Sequence, residues 1–268
     1  MEELKQKAIE EIIDSSIKNF AVGISARHIG EVENPTGTIN SKKNNVFIAE
    51  LGTEFMFYSA LVRSFDSSFG TVLENMGNSI AKISYEVRDE ITSYFTPNQE
   101  QHIDFLIREY QNGKIPEEND YLDYNIGSVQ NYSSNTVTHQ TDNYFYDSIN
   151  NCHIIIELKA GGNLDNKKAP AEKRELLREY FLLQNSVPAD ENIKIYFATA
   201  YNMFGEGNDW KQPSVNKYFA DGELLIGKSY WNFVCNDEKG FEIIMNQYRK
   251  SAEYIKKELK KIKHEYGL

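Results

Sequence analysis

Glu157 and Lys159 stand two residues apart at the end of the most apolar stretch of the chain, where an ordinary core strand would carry no charge. Side chains alternate along a strand, so this carboxylate and this ammonium share one face while Ile154, Ile156 and Leu158 take the other. Such a face has the means to hold a hard cation, to orient a water and to offset charge on a reacting anion. The run from His153 to Leu158, with three consecutive isoleucines between SINN and AGG, predicts a short buried strand over 152–159.

A second carboxylate falls in phase with it. Asn143 to Tyr146 is rich in strand-favouring aromatics and precedes the turn-forming SINN cluster, so the two segments pair most simply as a β-hairpin. With Ser148 to Asn151 as the loop, Asp147 pairs with Cys152 and Asp142 lies opposite Glu157. A tighter loop at Asn150-Asn151 moves Asp142 opposite Lys159, diagonal to Glu157 but on the same face. Asp147 sits at the turn in both registers and is the weaker candidate. Two carboxylates and an ammonium on a buried hairpin cost desolvation energy that a divalent cation held by Asp142 and Glu157 would offset, and Mg²⁺ is the natural one. The competing explanation is a structural ion pair on an edge strand, since an E-x-K triplet alone recurs by chance.

Positioning this face falls to the flanking elements. Residues 2–20 place Leu4, Ala8, Ile12 and Ile13 at helical spacing, and 21–45, with Gly23, Gly30, Pro35 and Gly37, reads as a loop in which Arg27, His28, Lys42 and Lys43 meet phosphates or simply face solvent. Helical patterns follow from Asn45 to about Ser67, again after Gly70, and over 86–110 on both sides of Thr96-Pro97. Residues 111–138 are polar, and Tyr121, Tyr124 and Tyr132 there either stack on nucleic acid or pack against a neighbouring helix. Beyond the strand, Gly161-Gly162 turns the chain and Pro170 suits the start of a helix, with Lys167 and Lys168 at its anion-favouring end. A strand over 192–200 completes a β-β-α-β succession, 224–235 is strand-like, and a helix runs from Lys239 nearly to the end, its lysines 256, 257, 260, 261 and 263 forming a solvated face. Gly205-Glu-Gly207 lacks the third glycine and the strand-to-helix setting of a nucleotide site.

Asp142, a hairpin, and then Glu157-Leu158-Lys159 after an apolar run resemble the active-site motif of the PD-(D/E)XK nuclease superfamily, with Thr141 where the motif name has proline. The segment SSFGTVLE resembles the S-x-x-G-x-x-x-E helix that precedes the catalytic hairpin in many restriction endonucleases. That resemblance makes Glu74 a third metal carboxylate, with Glu50 and Glu54 as lesser rivals. GGNLDNKKA resembles the loop after the motif in a group of type II restriction enzymes, and GKSYW a C-terminal strand segment in several. The resemblance implies an α/β fold with a restriction-endonuclease-like core, a central mixed β-sheet flanked by helices. It also implies Mg²⁺-dependent hydrolysis of double-stranded DNA at a short specific sequence, leaving 5′-phosphate and 3′-hydroxyl ends. Asp142 and Glu157 would hold the metal while Lys159 orients the water. A structure-directed repair or mobile-element nuclease of the same core, and a non-catalytic nucleic-acid-binding module with an inert ELK, are the alternatives.

Composition bounds the rest. With 40% hydrophobic and 26% charged residues, the 268-residue chain reads as one domain, its catalytic core roughly 70–235 with helical elaborations at both ends. A net charge of −11 argues against coating nucleic acid nonspecifically but leaves room for a locally basic cleft. Lys211 and Gln212, in NDWKQPSVNK, are of the types that read base edges. Cys152 and Cys235 sit in apolar contexts without a C-x-x-C and read as reduced core residues. The N-terminus lacks the regions of a signal peptide and nothing is long enough to cross a bilayer, so the expected location is the cytoplasm. One catalytic constellation per chain and two antiparallel DNA strands predict a C₂ homodimer; the competing reading is a monomer that nicks each strand in turn, since neither a heptad nor a long apolar stripe in the sequence announces an interface.

Overall fold

The computed structural model describes residues 1–122 and 136–268, so Tyr124 and Tyr132 lie outside the described residues. The chain divides into two compact units, one formed by residues 1–79 with 241–268 and the other by residues 80–240.

The second unit carries the sheet. Its strands are β1 (Glu86–Tyr94), β2 (Thr136–Asp147), β3 (Cys152–Lys159), β4 (Asn192–Thr199) and β5 (Leu224–Ile226), side by side in that order. β1, β2 and β3 pair antiparallel, whereas β3, β4 and β5 run parallel. The mixed α/β sheet expected from the sequence is therefore present, and the β-β-α-β succession holds. Helix α5 (Lys168–Gln184) is the crossover between the parallel β3 and β4, a connection that cannot be a tight turn. With α4 (Pro97–Gln111) it covers one face of the sheet, where Ile91, Tyr144, Ile155 and Phe197 meet Ile103, Leu106, Leu177 and Phe181 in one buried cluster. The other face is lined by aromatics. Tyr85 stacks on Phe145 and Phe233, with ring centroids 5.8 and 5.9 Å apart.

Two segments of this unit depart from the helical and strand patterns of the sequence. Residues 86–94 are strand rather than helix: Ile91 and Ser93 are buried while Glu90 and Thr92 are exposed, and pairing along β2 overrides the helix propensity of the charged residues. The helix begins only at Pro97, where Thr96 and Gln99 cap each other reciprocally, Gln99 N–H to Thr96 Oγ1 at 3.2 Å and Thr96 N–H to Gln99 Oε1 at 2.9 Å. After the one-turn helix α6 (Pro213–Asn216), the strand-like 224–235 is only three residues of β5 followed by helix α7 (Lys228–Val234). Gly227 ends the strand at φ +50°, and Tyr230, Trp231 and Val234 are then buried at helical spacing, with Trp231 Nε1 donating to the Ala200 carbonyl at 2.7 Å.

The first unit is helical: α1 (Glu3–Gly30), the short α2 (Val46–Ala49), α3 (Thr53–Ala81) and α8 (Gly240–Glu265), the last two each extending a residue or two past its boundary. α1 runs ten residues further than its first pattern suggested. Ile9, Ile13, Ile17, Ala21, Ile24 and His28 form one buried stripe that carries the helix through Gly23. His28 is consequently a core residue. Its Nε2 lies 3.0 Å from Ser64 Oγ and burial lowers its pKa, which removes it from the phosphate contacts considered above. Arg27 donates to Ser68 at 3.2 Å, and Lys42 and Lys43 occupy a 3₁₀ turn over 40–44. Gly70 does not divide the next helix either, because α3 is continuous across it.

One side of α3 faces solvent with apolar side chains. Leu51, just ahead of the helix, and Phe55, Tyr58 and Val62 recur at four, three and four residues, and all are exposed, Phe55 by 49%. Among the described residues no helix is long and apolar enough to cross a membrane.

Candidate active site

The hairpin adopts the first of the two registers. Asp147 pairs with Cys152, Tyr146 with His153, and Tyr144 with Ile155. The reason lies in the loop. Asp147 Oδ1 accepts the backbone N–H groups of Ile149 and Asn150 at 3.0 and 3.2 Å, and Asn151 takes a left-handed conformation at φ +47°, which asparagine tolerates. Asp147 is thus used up by the turn.

Continued two residues beyond Tyr144, the same register brings Asp142 opposite Glu157, and the charge of Asp142 is felt at Glu157. β2 is irregular at this point. Arg88 pairs with Tyr144 but Glu90 with Gln140, so Thr141, Asp142 and Asn143 together face the single residue Asp89 of β1. A bulge of this kind re-aims side chains. Asp142 is exposed while Thr141 and Asn143 on either side are buried. Thr141, in the position of the motif proline, fills the buried side of the bulge.

Lys159 Nζ forms an ion pair with Glu157 Oε1 and a second, at 3.2 Å, with Glu172 Oε1 on α5. Burial pushes the Glu157 carboxyl up; Lys159 opposes the shift, Glu172 and Asp142 add to it, and the pKa is raised to about 7. Burial works to lower the Lys159 ammonium, but Glu157 and Glu172 more than compensate and raise it. Sequence reasoning missed Glu172 and two companions. Glu175 and Glu179 follow it at helical spacing, and Glu179 lies 3.2 Å from His139 Nε2 on β2. Burial raises the Glu179 carboxyl, His139 partly offsets this, and Glu175 and Asp142 raise it further. The signal was there in the spacing 172, 175, 179 directly after the charged strand, since residues three and four apart share a helix face.

Among the described residues no three His, Cys, Asp or Glu side chains form a ready cation cage. The two carboxylates nevertheless fit Mg²⁺, which binds through one or two carboxylates, retained waters and substrate phosphate. Glu157 supplies a carboxylate whose charge burial penalises and a cation would favour, and Asp142 an exposed one that a hydrated ion can reach. Glu74 is half-buried on α3 in the first unit, whereas Asp142, Glu157 and Lys159 belong to the second.

The other candidates are distributed around the loops that follow. Gly161 and Gly162 end β3 in a turn that needs them: a Cβ on Gly161 would meet Tyr201 Oη at 2.3 Å, and Gly162 has φ +65°. Lys167 and Lys168 expose their side chains at the start of α5, but their backbone N–H groups donate to Asp165 Oδ1 at 2.9 and 2.8 Å. The helix end proposed for an anion is therefore already capped by a carboxylate. Lys211 is exposed and 3.8 Å from Asp209. Gln212 is buried, and its Nε2 donates to the Leu164 carbonyl at 3.1 Å, so its amide ties two loops together instead of facing a base edge.

No curated protein matches the chain. A family model described as type II restriction endonuclease, HinfI, matches residues 5–252.

Proposed function

The chain belongs to the HinfI family of type II restriction endonucleases, site-specific deoxyribonucleases of double-stranded DNA, and from that premise we propose how its own residues cleave. The centre is Asp142, Glu157 and Lys159. The observation that carries this is the buried Glu157 carboxylate, ion-paired with Lys159 and subject to the charge of Asp142 on the same hairpin face.

Asp142 and Glu157 would hold Mg²⁺, which when bound supplies Lewis acidity toward the scissile phosphate and a water of lowered pKa. Lys159 does two things: its donors orient the attacking water, and its charge offsets the negative charge that grows on the phosphorane-like transition state. α5 holds the lysine through the Glu172 carboxylate. Membership of the family implies 5′-phosphate and 3′-hydroxyl ends. Lys167 and Lys168 are exposed groups for backbone phosphates, and Lys211 an exposed one for a base edge.

Cutting both strands of a short symmetric site calls for two such centres related by a two-fold axis, so we assign the active unit as a homodimer. The exposed stripe of Leu51, Phe55, Tyr58 and Val62 is the surface we assign to the second copy. Restriction enzymes typically act in the cytoplasm, and that is the location proposed for this one.

Incubation of plasmid DNA with the protein and Mg²⁺ tests the proposal. Discrete bands from wild type, and intact plasmid with Lys159→Ala and with Glu157→Ala at unchanged folding, are the expected results. Smeared products, or cleavage by either variant at the wild-type rate, would refute the assignment.

A further inference from the structure

Glu157 is asked to do two things at once. In the structure its carboxylate is the partner of Lys159, yet the proposed chemistry also commits it to a divalent cation. A carboxylate shared with a cation has less charge to offer an ammonium, and the cation itself repels that ammonium. A lysine held only by Glu157 would therefore be displaced when the site is loaded.

Lys159 has a second anchor. Its Nζ lies 3.2 Å from Glu172 Oε1, a side chain that is 20% exposed and stands on the second turn of α5. That turn is rigidly seated, with Ala169, Lys173, Leu176 and Leu177 all buried. The neighbouring acids of the helix are differently placed: Glu175 is exposed, and Glu179 is joined to His139. We propose that Glu172 is the positioning residue for Lys159, a fixed carboxylate that keeps the ammonium beside the reacting phosphate once Glu157 is engaged with the cation. The inference rests on the assignment of Asp142, Glu157 and Lys159 as the cleavage centre.

The test is a double-mutant cycle on the full-length protein, using Glu172→Gln, Lys159→Met and the pair together, with Glu172→Asp as a conservative variant. Ca²⁺ serves as the probe cation and thermal melting as a readout independent of turnover. Glu172→Gln should lower kcat by roughly 10- to 100-fold with KM for plasmid nearly unchanged, the penalty typical of a misplaced catalytic group. Glu172→Asp should recover part of that loss. In Ca²⁺, Glu172→Gln should lower the melting temperature when Lys159 is present and leave it unmoved in the Lys159→Met background. If Ca²⁺ half-saturation instead weakens equally in both backgrounds, Glu172 is a cation ligand and the proposal falls. Wild-type kcat in a folded Glu172→Gln variant overturns it as well. Should Lys159→Met itself cleave like wild type, the cleavage centre is wrong, which is a separate failure.

Discussion

Replacing Glu157 by glutamine removes a charge that burial disfavours at the heart of the proposed cleavage centre, and the protein should become more stable. Glu157 titrates at about 7 in the folded chain against an ordinary 4.5. Between those values the folded state keeps a proton that the unfolded state has released, so stability falls as pH rises through the window. The penalty is absent below pH 4.5, complete above about pH 7, and amounts to ~3 kcal/mol from the difference between the two values at about 1.4 kcal/mol per unit. Glutamine has the shape of the protonated acid and cannot ionise, and Lys159 keeps Glu172 as a partner. Glu157→Gln should therefore melt roughly 6 to 12 °C above wild type at pH 8, given about 2 to 4 °C per kcal/mol for a unit of this size. At pH 4.5 the two should melt together. Differential scanning calorimetry in chelator across this range measures it. Saturating Mg²⁺ at pH 8 should narrow the gap, because binding stabilises only the wild type. A variant that melts below wild type at pH 8, or whose gain is the same at pH 4.5, would refute the account of burial and neighbouring carboxylates given for Glu157.

The remaining predictions concern the other residues and the metal. Asp142→Asn should abolish plasmid cleavage without lowering the melting temperature, whereas Asp147→Asn should retain activity and lose about 1 kcal/mol from its turn, measured by urea unfolding; the reverse pattern would contradict the hairpin assignment. Ca²⁺ should support binding of a cognate duplex without cutting, Mg²⁺ should support both, and activity that persists in excess chelator would exclude the metal. Phe55→Glu should convert the dimer to a monomer by light scattering with little change in melting, since a charge is buried only in the pair; an unaltered mass would place the interface elsewhere.

The hairpin of Asp142, Glu157 and Lys159 was legible in the sequence because its determinants are local. Three isoleucines, the SINN turn and period-two alternation set which face carries Glu157 and Lys159, and Asp147 with Asn151 decides between two registers by hydrogen bonds within a few residues. The mixed sheet followed from the strand, helix, strand order alone. Elsewhere the deciding partner was distant. Residues 86–94 are a strand only because β2 lies beside them, 228–234 turn helical because Trp231 reaches the Ala200 carbonyl, and α1 continues through Gly23 because its buried stripe does. Whether an apolar face is covered is likewise no property of a helix by itself: Phe57 on α3 is buried and Phe55, two residues before it, is not. Glu172 shows the same limit at the site. Its spacing with Glu175 and Glu179 marks one helix face, but the crossover that swings α5 back over β3 is what brings that carboxylate to Lys159 and makes three charges, separated along the chain, share one potential.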